Sequence, residues 1–114
     1  MILAGILWHV LTVAQMAGAD PCHWPGVMAT HVEVSGYVTY VKREDDGDLH
    51  IRLCDAPAVK GMDRTRCVVA ECVPALPCSR PKMRAHLTVR GISRWDGEAA
   101  HGWHEIHPVL EVLP

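Results

Sequence analysis

A ten-residue stretch, HVEVSGYVTY at positions 31–40, decides the fold class of this chain. Its side chains alternate between apolar and polar character, a period of two that predicts a β-strand with one buried face. Gly36 lies inside the stretch and predicts a bulge or a sharp bend. The predicted inward-facing residues are Val32, Val34, Val38 and Tyr40.

Four more strands follow from the same pattern. The turn sequence Glu44–Gly47 leads into a second alternating strand at 49–54. With no helix expected after Ala19, five strands predict an all-β, five-stranded OB-like Greek-key barrel. An SH3-like barrel and an open meander are the alternatives. Residues 74–85 are too short and proline-rich for the helix that usually joins the third and fourth OB strands. The remaining predicted strands are Cys67–Val73, Leu87–Arg94 and His104–Leu113.

One antiparallel register explains a disulfide, a core and a polar pair together. Opposite residues of an antiparallel pair have a constant sum of residue numbers, so placing Cys54 opposite Cys67 also places His50 opposite Glu71. We therefore expect a Cys54–Cys67 disulfide. The residues that then point into the core are Leu49, Ile51, Leu53, Val68, Ala70 and Cys72.

The first nineteen residues differ from the rest of the chain. They contain none of the 24 Lys, Arg, Asp and Glu residues, and they end in the small-x-small sequence Ala17-Gly18-Ala19 before Asp20. This pattern predicts a signal peptide, or alternatively a retained apolar helix, at 1–19, followed by a single β-barrel domain at 20–114. His9 is among the polar interruptions that argue against a stable membrane span.

Cysteine usage also indicates export. Small secreted domains use disulfides where their cores are thin, and this chain has five Cys with no Cys-x-x-Cys pair typical of zinc sites. We therefore expect a secreted or periplasmic protein. An odd count leaves one thiol free or paired with another chain. The spacing leaves the pairing of Cys22, Cys72 and Cys78 open.

Polar side chains that bind metals or move protons gather on the predicted outer face. In an OB barrel the fifth strand lies beside the third and the third beside the second. This order brings the polar side chains of the three strands together, with Asp48 close to them. Two imidazoles and several carboxylates suit a divalent metal such as zinc or manganese, and they also suit general acid–base catalysis. A solvated sheet face, whose cross-strand pairs contribute roughly 0.2–1 kcal/mol each, is the third interpretation. The predicted metal ligands are His50, Glu71, Glu105 and His107.

Aromatic and basic residues provide a second set of candidates. Trp95 and Trp103 flank the fourth loop, where they would stack on a base or a sugar ring or else cover the barrel mouth. Arg52 belongs to a potential basic stripe for single-stranded nucleic acid, but an acidic turn interrupts the stripe and the net charge is -2. Nucleic acid is therefore not favoured. Histidines at 101, 104 and 107 would align only on a helix, which Pro108 disfavours.

Parts of the sequence resemble two known families. The segments Asp46-Gly47-Asp48-Leu49-His50, Val68–Glu71 and Trp103–Val109, which ends in Glu-Ile-His-Pro-Val, resemble small exported bacterial proteins that are similar to OB-fold nucleic-acid-binding modules. This resemblance implies an OB fold and export but no particular activity. A weaker similarity, to thermonuclease-like OB enzymes, covers Asp46-Gly47-Asp48 and Arg52–Pro57, with Leu49 where that family has Thr.

Together these observations predict a secreted or periplasmic OB-like binding module. Its ligand is open, with nucleic acid and oligosaccharide as candidates. The alternative is a metal-dependent hydrolase or nuclease that uses His50, Glu71 and His107 on the outer face.

Overall fold

The computed structural model of the chain describes residues 5–21 and 30–114. Within these ranges it contains six strands and one short helix. In chain order the elements are β1 (His9–Thr12), α1 (Val13–Ala17), β2 (Thr30–Arg43), β3 (Leu49–Cys54), β4 (Cys67–Cys72), β5 (His86–Asp96) and β6 (Trp103–Leu113).

Strands β2 to β6 form a closed barrel with OB topology. The sheet runs β1-β2-β3-β4-β6-β5, and β2 also pairs with β5, which closes the ring. The β4–β6 pair is parallel, and the other pairs in the ring are antiparallel. The predicted five-stranded OB-like barrel is therefore confirmed, with β1 added beside β2 as a sixth strand that the sequence did not predict.

The predicted register between the second and third barrel strands is confirmed. Cys54 lies opposite Cys67 and His50 opposite Glu71. The two cysteines form a disulfide, and Cys72 is bonded to Cys78 in a second one. Cys22 lies outside the described residues. The six residues predicted to point into the barrel from these strands are all buried.

Helix α1 fills one end of the barrel. Thr12 and Gln15 form a reciprocal capping box at its N-terminus, which satisfies two backbone N–H groups. Val13 and Met16 are buried in the same cluster as the strand residues of the core. A Cβ on Gly36 would come within 2.6 Å of a Val13 methyl carbon, so glycine in β2 lets the helix pack closely. Residues 9–17 thus complete the core, although the sequence places them in a signal-like segment; processing after Ala19 stays a prediction.

The prediction that Tyr40 points into the core is wrong. The pairing of β2 with β3 shifts between Val38 and Tyr40, which is a β-bulge. The extra residue at this point turns Tyr40 outward, where it is 41% exposed, and leaves Thr39 buried. Val32, Val34 and Val38 are fully buried as predicted.

Alternation in the last strand predicts that Ile106, Leu110 and Val112 face the core, and this prediction is partly wrong. Ile106 is buried, but Val112 is 38% exposed, Leu110 is only half-buried, and Val109 is in the core instead. The pairing between β5 and β6 shifts on both sides of Gly91, so the simple alternation does not continue past Pro108. Leu110 and Val112 consequently lie on the outer surface of the barrel.

None of the helices in the described part of the chain is both long enough and apolar enough to cross a membrane.

Candidate functional site

An acidic groove of about 770 Å³ lies on the outer face of β3, β4 and β6. We call it the acidic groove because, among the described residues, eight carboxylate side chains line it, against two cationic side chains, Lys42 and Arg52. It extends from the β2–β3 turn to the β5–β6 loop. Its lining includes the predicted residues His50, Glu71, Glu105 and His107 together with Asp48. The structure therefore brings these five side chains together on one outer surface.

Glu71 lies on the floor of the acidic groove. Its residue surface is 8% exposed, and the His50 ring nitrogen Nδ1 lies 3.0 Å from its Oε1 atom. Its other oxygen, Oε2, is buried and has no hydrogen-bond partner within the described part of the chain. A buried carboxylate oxygen without a partner carries an uncompensated desolvation cost. This atom is therefore where a ligand with a positive charge or a donor would gain most.

A second group surrounds His107. The Nε2 atom of its ring lies 3.4 Å from Asp48 Oδ2, and the Nδ1 atom lies 3.6 Å from Glu105 Oε1. Glu105 also accepts a 2.8 Å hydrogen bond from the Trp103 indole through Oε2. The parallel register that pairs Val69 with Glu105, continued along both strands, sets this group beside Glu71.

Burial, with crowding of negative charge as a smaller cause, raises two carboxyl pKa values in the groove. Burial raises the pKa of Glu105, and repulsion from Asp96 and Glu71 adds to the effect. Burial also raises the pKa of Asp48, with repulsion from Asp46, Glu71 and Glu44. Both shifts mean that an additional positive charge in the groove would be stabilised.

Asp96, Glu98 and His101 form a further cluster at the rim, which the sequence did not predict. Their potential ligand atoms lie within 4.8 Å of one another, and theirs is the single trio of that kind among residues 5–21 and 30–114. His101 Nδ1 is 2.6 Å from Asp96 Oδ2. Burial acts to raise the pKa of Asp96, but the hydrogen bonds from the Glu98 backbone N–H and from His101 outweigh it, so the pKa is lowered. The Glu98 side chain is 80% exposed. The turn sequence Asp96-Gly97 followed by His101 was the signal for this cluster.

The predicted ligands His50, Glu71, Glu105 and His107 do not form such a trio within the described ranges. They share the groove but are held by different partners. Zinc–ligand bonds of about 2.0–2.2 Å keep any two ligand atoms within roughly 4.4 Å of each other, so a metal there would require side chains to move. The metal assignment stays a prediction.

The aromatic and basic candidates are separated by the fold. Trp103 lines the groove, where its ring stacks on His101 at a centroid distance of 4.3 Å. Trp95 is not part of the lining; it packs edge-on against His104, which contacts the Ala19 carbonyl. Arg52 lines the groove, but its guanidinium is engaged by the side chain and carbonyl of Thr39. Only Trp103 and Arg52 therefore share the site.

The loop between β3 and β4 forms part of the groove wall. The Cys54–Cys67 disulfide closes this loop at its base. Met62 lines the groove, and Arg64 donates a 2.6 Å hydrogen bond to the His101 carbonyl. The Arg64 guanidinium lies 5.9 Å from the centre of the Trp103 ring. The disulfide thus anchors a loop that reaches across to the opposite rim.

No protein-family model matches the chain, and a search of curated proteins found no match.

Proposed function

We propose that this domain is a binding module for a cationic ligand, which it holds in the acidic groove. The observation that carries the proposal is Glu71 Oε2, a buried carboxylate oxygen on the floor of that groove for which residues 5–21 and 30–114 supply no hydrogen-bond partner. Such an atom is costly to retain unless a ligand supplies a donor or a positive charge.

The charge of the lining supports the same conclusion. Eight carboxylates against two cationic side chains give the groove a negative field. A phosphate backbone would be repelled there, since nucleic-acid affinity comes largely from Lys and Arg contacts to phosphate. The groove covers the second and third strands of the barrel, the face on which OB folds commonly bind their ligands. Nucleic acid is therefore disfavoured as the ligand, whereas the binding role of the face is retained.

The Trp103 indole N–H provides a direct readout for this proposal. Because it donates to Glu105 inside the groove, its NMR resonance should shift when a cation binds nearby. We expect shifts with spermidine, a short arginine peptide or zinc chloride, and none with a (dT)12 oligonucleotide at matched ionic strength. A shift with the oligonucleotide, and none with any cation, would overturn the proposal.

A metal-dependent hydrolase or nuclease is the second candidate. The rim cluster Asp96, Glu98 and His101 favours it, because its three ligand atoms are already close together. Metal analysis of protein purified without chelators tests this candidate. A stoichiometric metal that is lost in His101→Ala would support it, and metal-free protein would count against it.

We also propose that the domain works in an oxidising compartment outside the cytoplasm. Two disulfides connect Cys54 to Cys67 and Cys72 to Cys78, and such bonds persist mainly in secreted and periplasmic proteins. The resemblance to small exported bacterial proteins points the same way. Fractionation of expressing cells, followed by alkylation of free thiols, would test the location and the oxidation state together.

A further inference from the structure

The arrangement of carboxylates on the groove floor distinguishes between kinds of cation. We infer that the acidic groove binds an organic cation with several N–H donors, a guanidinium or primary ammonium group, rather than a metal ion. This inference rests on the proposed function and specifies its ligand. The side chains that would hold the group are Glu71, Glu105 and Asp48.

The first argument is geometric. A metal ion requires ligand atoms close together, because bonds of about 2.0–2.6 Å set the size of the coordination sphere. Within the described residues, only the rim cluster meets a limit of 4.8 Å, and the floor carboxylates do not. A guanidinium group is planar and carries five N–H donors, each reaching an oxygen about 2.7–3.2 Å away. It can therefore bridge carboxylates that are too widely spaced for one metal ion.

The second argument is the state of each carboxylate. Each floor carboxylate already has a partner for at least one oxygen. His50 lies next to Glu71 Oε1, and His107 lies next to Asp48 Oδ2. Both oxygens of Glu105 have a neighbour, Trp103 at Oε2 and His107 at Oε1. These contacts hold the side chains in place. Glu71 Oε2 has no hydrogen-bond partner among the described residues. A donor group of the ligand would satisfy this atom without disturbing the His50 contact.

The third argument comes from the aromatic rings of the lining. Tyr40 and Trp103 have the chain's own guanidinium groups near their rings: Arg52 at 5.3 Å from the Tyr40 centroid and Arg64 at 5.9 Å from that of Trp103. Rings at this distance attract guanidinium and ammonium groups through cation–π interactions. The lining of the groove therefore already holds guanidinium groups beside aromatic rings, which is the chemistry that we assign to the ligand.

The size of the groove limits the ligand further. A volume of about 770 Å³ lies within the range of small-molecule sites, roughly 300–1,000 Å³. It accommodates one or two basic side chains of a peptide, or a polyamine. Both sources present the same chemistry, and the test separates them.

Calorimetric titration of the full chain tests the inference. The probes are a five-residue peptide with two arginines, the same peptide with citrulline in place of arginine, spermidine, and zinc or manganese chloride. Citrulline preserves the size and most of the hydrogen-bonding groups of arginine but not its charge. We expect the arginine peptide or spermidine to bind, whichever is the natural source, and the citrulline peptide not to bind.

Variants locate the binding to the groove floor. Charged hydrogen bonds contribute enough that Glu71→Gln and Glu105→Gln should each weaken binding about tenfold or more. Glu111→Gln is the matched control, because Glu111 lies on β6 beside Arg90 and outside the groove lining. Thermal melts of each variant verify that it is folded.

The outcomes separate the inference from the proposed function. Stoichiometric zinc or manganese binding, with no binding of the arginine peptide or spermidine, overturns the inference and leaves a cation-binding module. Equal binding of the citrulline and arginine peptides also overturns it. If no cation of either kind binds, both the inference and the proposed function fail. Loss of binding in Glu111→Gln equal to that in Glu71→Gln would place the cation outside the groove and overturn the inference.

Discussion

His50 and Glu71 face each other across the β3–β4 pair, with Nδ1 of the imidazole 3.0 Å from Oε1 of the carboxylate. Both side chains are mostly buried on the outer face of the barrel, beneath the acidic groove. The contact fixes one oxygen of Glu71 and leaves the other available. It therefore connects the strand register directly to the ligand site.

Removal of the His50 imidazole should destabilise the fold, because the buried Glu71 carboxylate would lose a partner. We expect His50→Ala to lower the free energy of unfolding by about 1–3 kcal/mol, since Glu71 would then lose its partner. The double variant His50→Ala/Glu71→Leu should regain part of that loss, because no unpaired charge remains. Urea unfolding measures both. A double variant that is less stable than His50→Ala would contradict this explanation.

Helix α1 should contribute to stability through Met16. This side chain is fully buried in the barrel core, so Met16→Ala should cost about 2–5 kcal/mol through lost burial and a cavity. Leu7→Ala is the matched control, because Leu7 belongs to the same N-terminal segment but is 87% exposed. Similar unfolding midpoints for the two variants would show that the segment does not pack in the barrel.

The two disulfides should differ in their contributions. Loss of the Cys54–Cys67 bond, in a double alanine variant, should cost about 3 kcal/mol, because the bond closes the longer loop. The Cys72–Cys78 bond spans 6 positions rather than 13, so its removal should cost less. Denaturant unfolding of each double variant provides the comparison. The Cys54–Cys67 variant should also weaken cation binding, since its loop carries Met62 and Arg64 to the groove; unchanged affinity would contradict that role.

Stability should depend on pH through Glu105. Its raised pKa means that the folded protein binds the proton more tightly than the unfolded chain, so stability falls as pH rises from the ordinary value of 4.5 through the raised one. Glu105→Gln removes this penalty and retains an acceptor for the Trp103 indole. The variant should therefore be more stable than the wild type at pH 7 and nearly equal below pH 4.

Urea unfolding across this pH range measures the difference between the two proteins. Glu111→Gln serves as the control, since Glu111 lies outside the groove and near Arg90. A Glu105→Gln variant that is less stable than the wild type at pH 7 would show that the ionised carboxylate does not destabilise the folded protein.

Much of the barrel was predictable because its strands follow a period of two. The Cys54–Cys67 register correctly placed His50 opposite Glu71, since one fixed pair determines every other pair in a regular antiparallel ladder. The prediction failed where the ladder is irregular. The bulge before Tyr40 and the shift around Gly91 reverse the faces of the residues beyond them. Alternation in the sequence contains no signal for the position of an extra residue.

The face on which the groove residues lie was also predictable from the sequence. Strand order and register brought His50, Glu71, Glu105 and His107 to one face, together with Asp48. Their grouping into separate hydrogen-bonded units was not predictable, because it depends on side-chain distances across strands. The rim cluster of Asp96 and His101 was missed for a related reason: it forms when the loop between β5 and β6 folds back on itself.

The sequence by itself determined the five barrel strands, the main register, one disulfide and the outward direction of the polar site residues, because these depend on local periodicity and on one pairing. Only the tertiary structure decided that α1 packs in the barrel core, that Cys72 bonds to Cys78, and that a buried oxygen of Glu71 has no hydrogen-bond partner among the described residues. Those features depend on contacts between segments distant in the chain. Their energies come from packing and desolvation, which exist only once the barrel has closed.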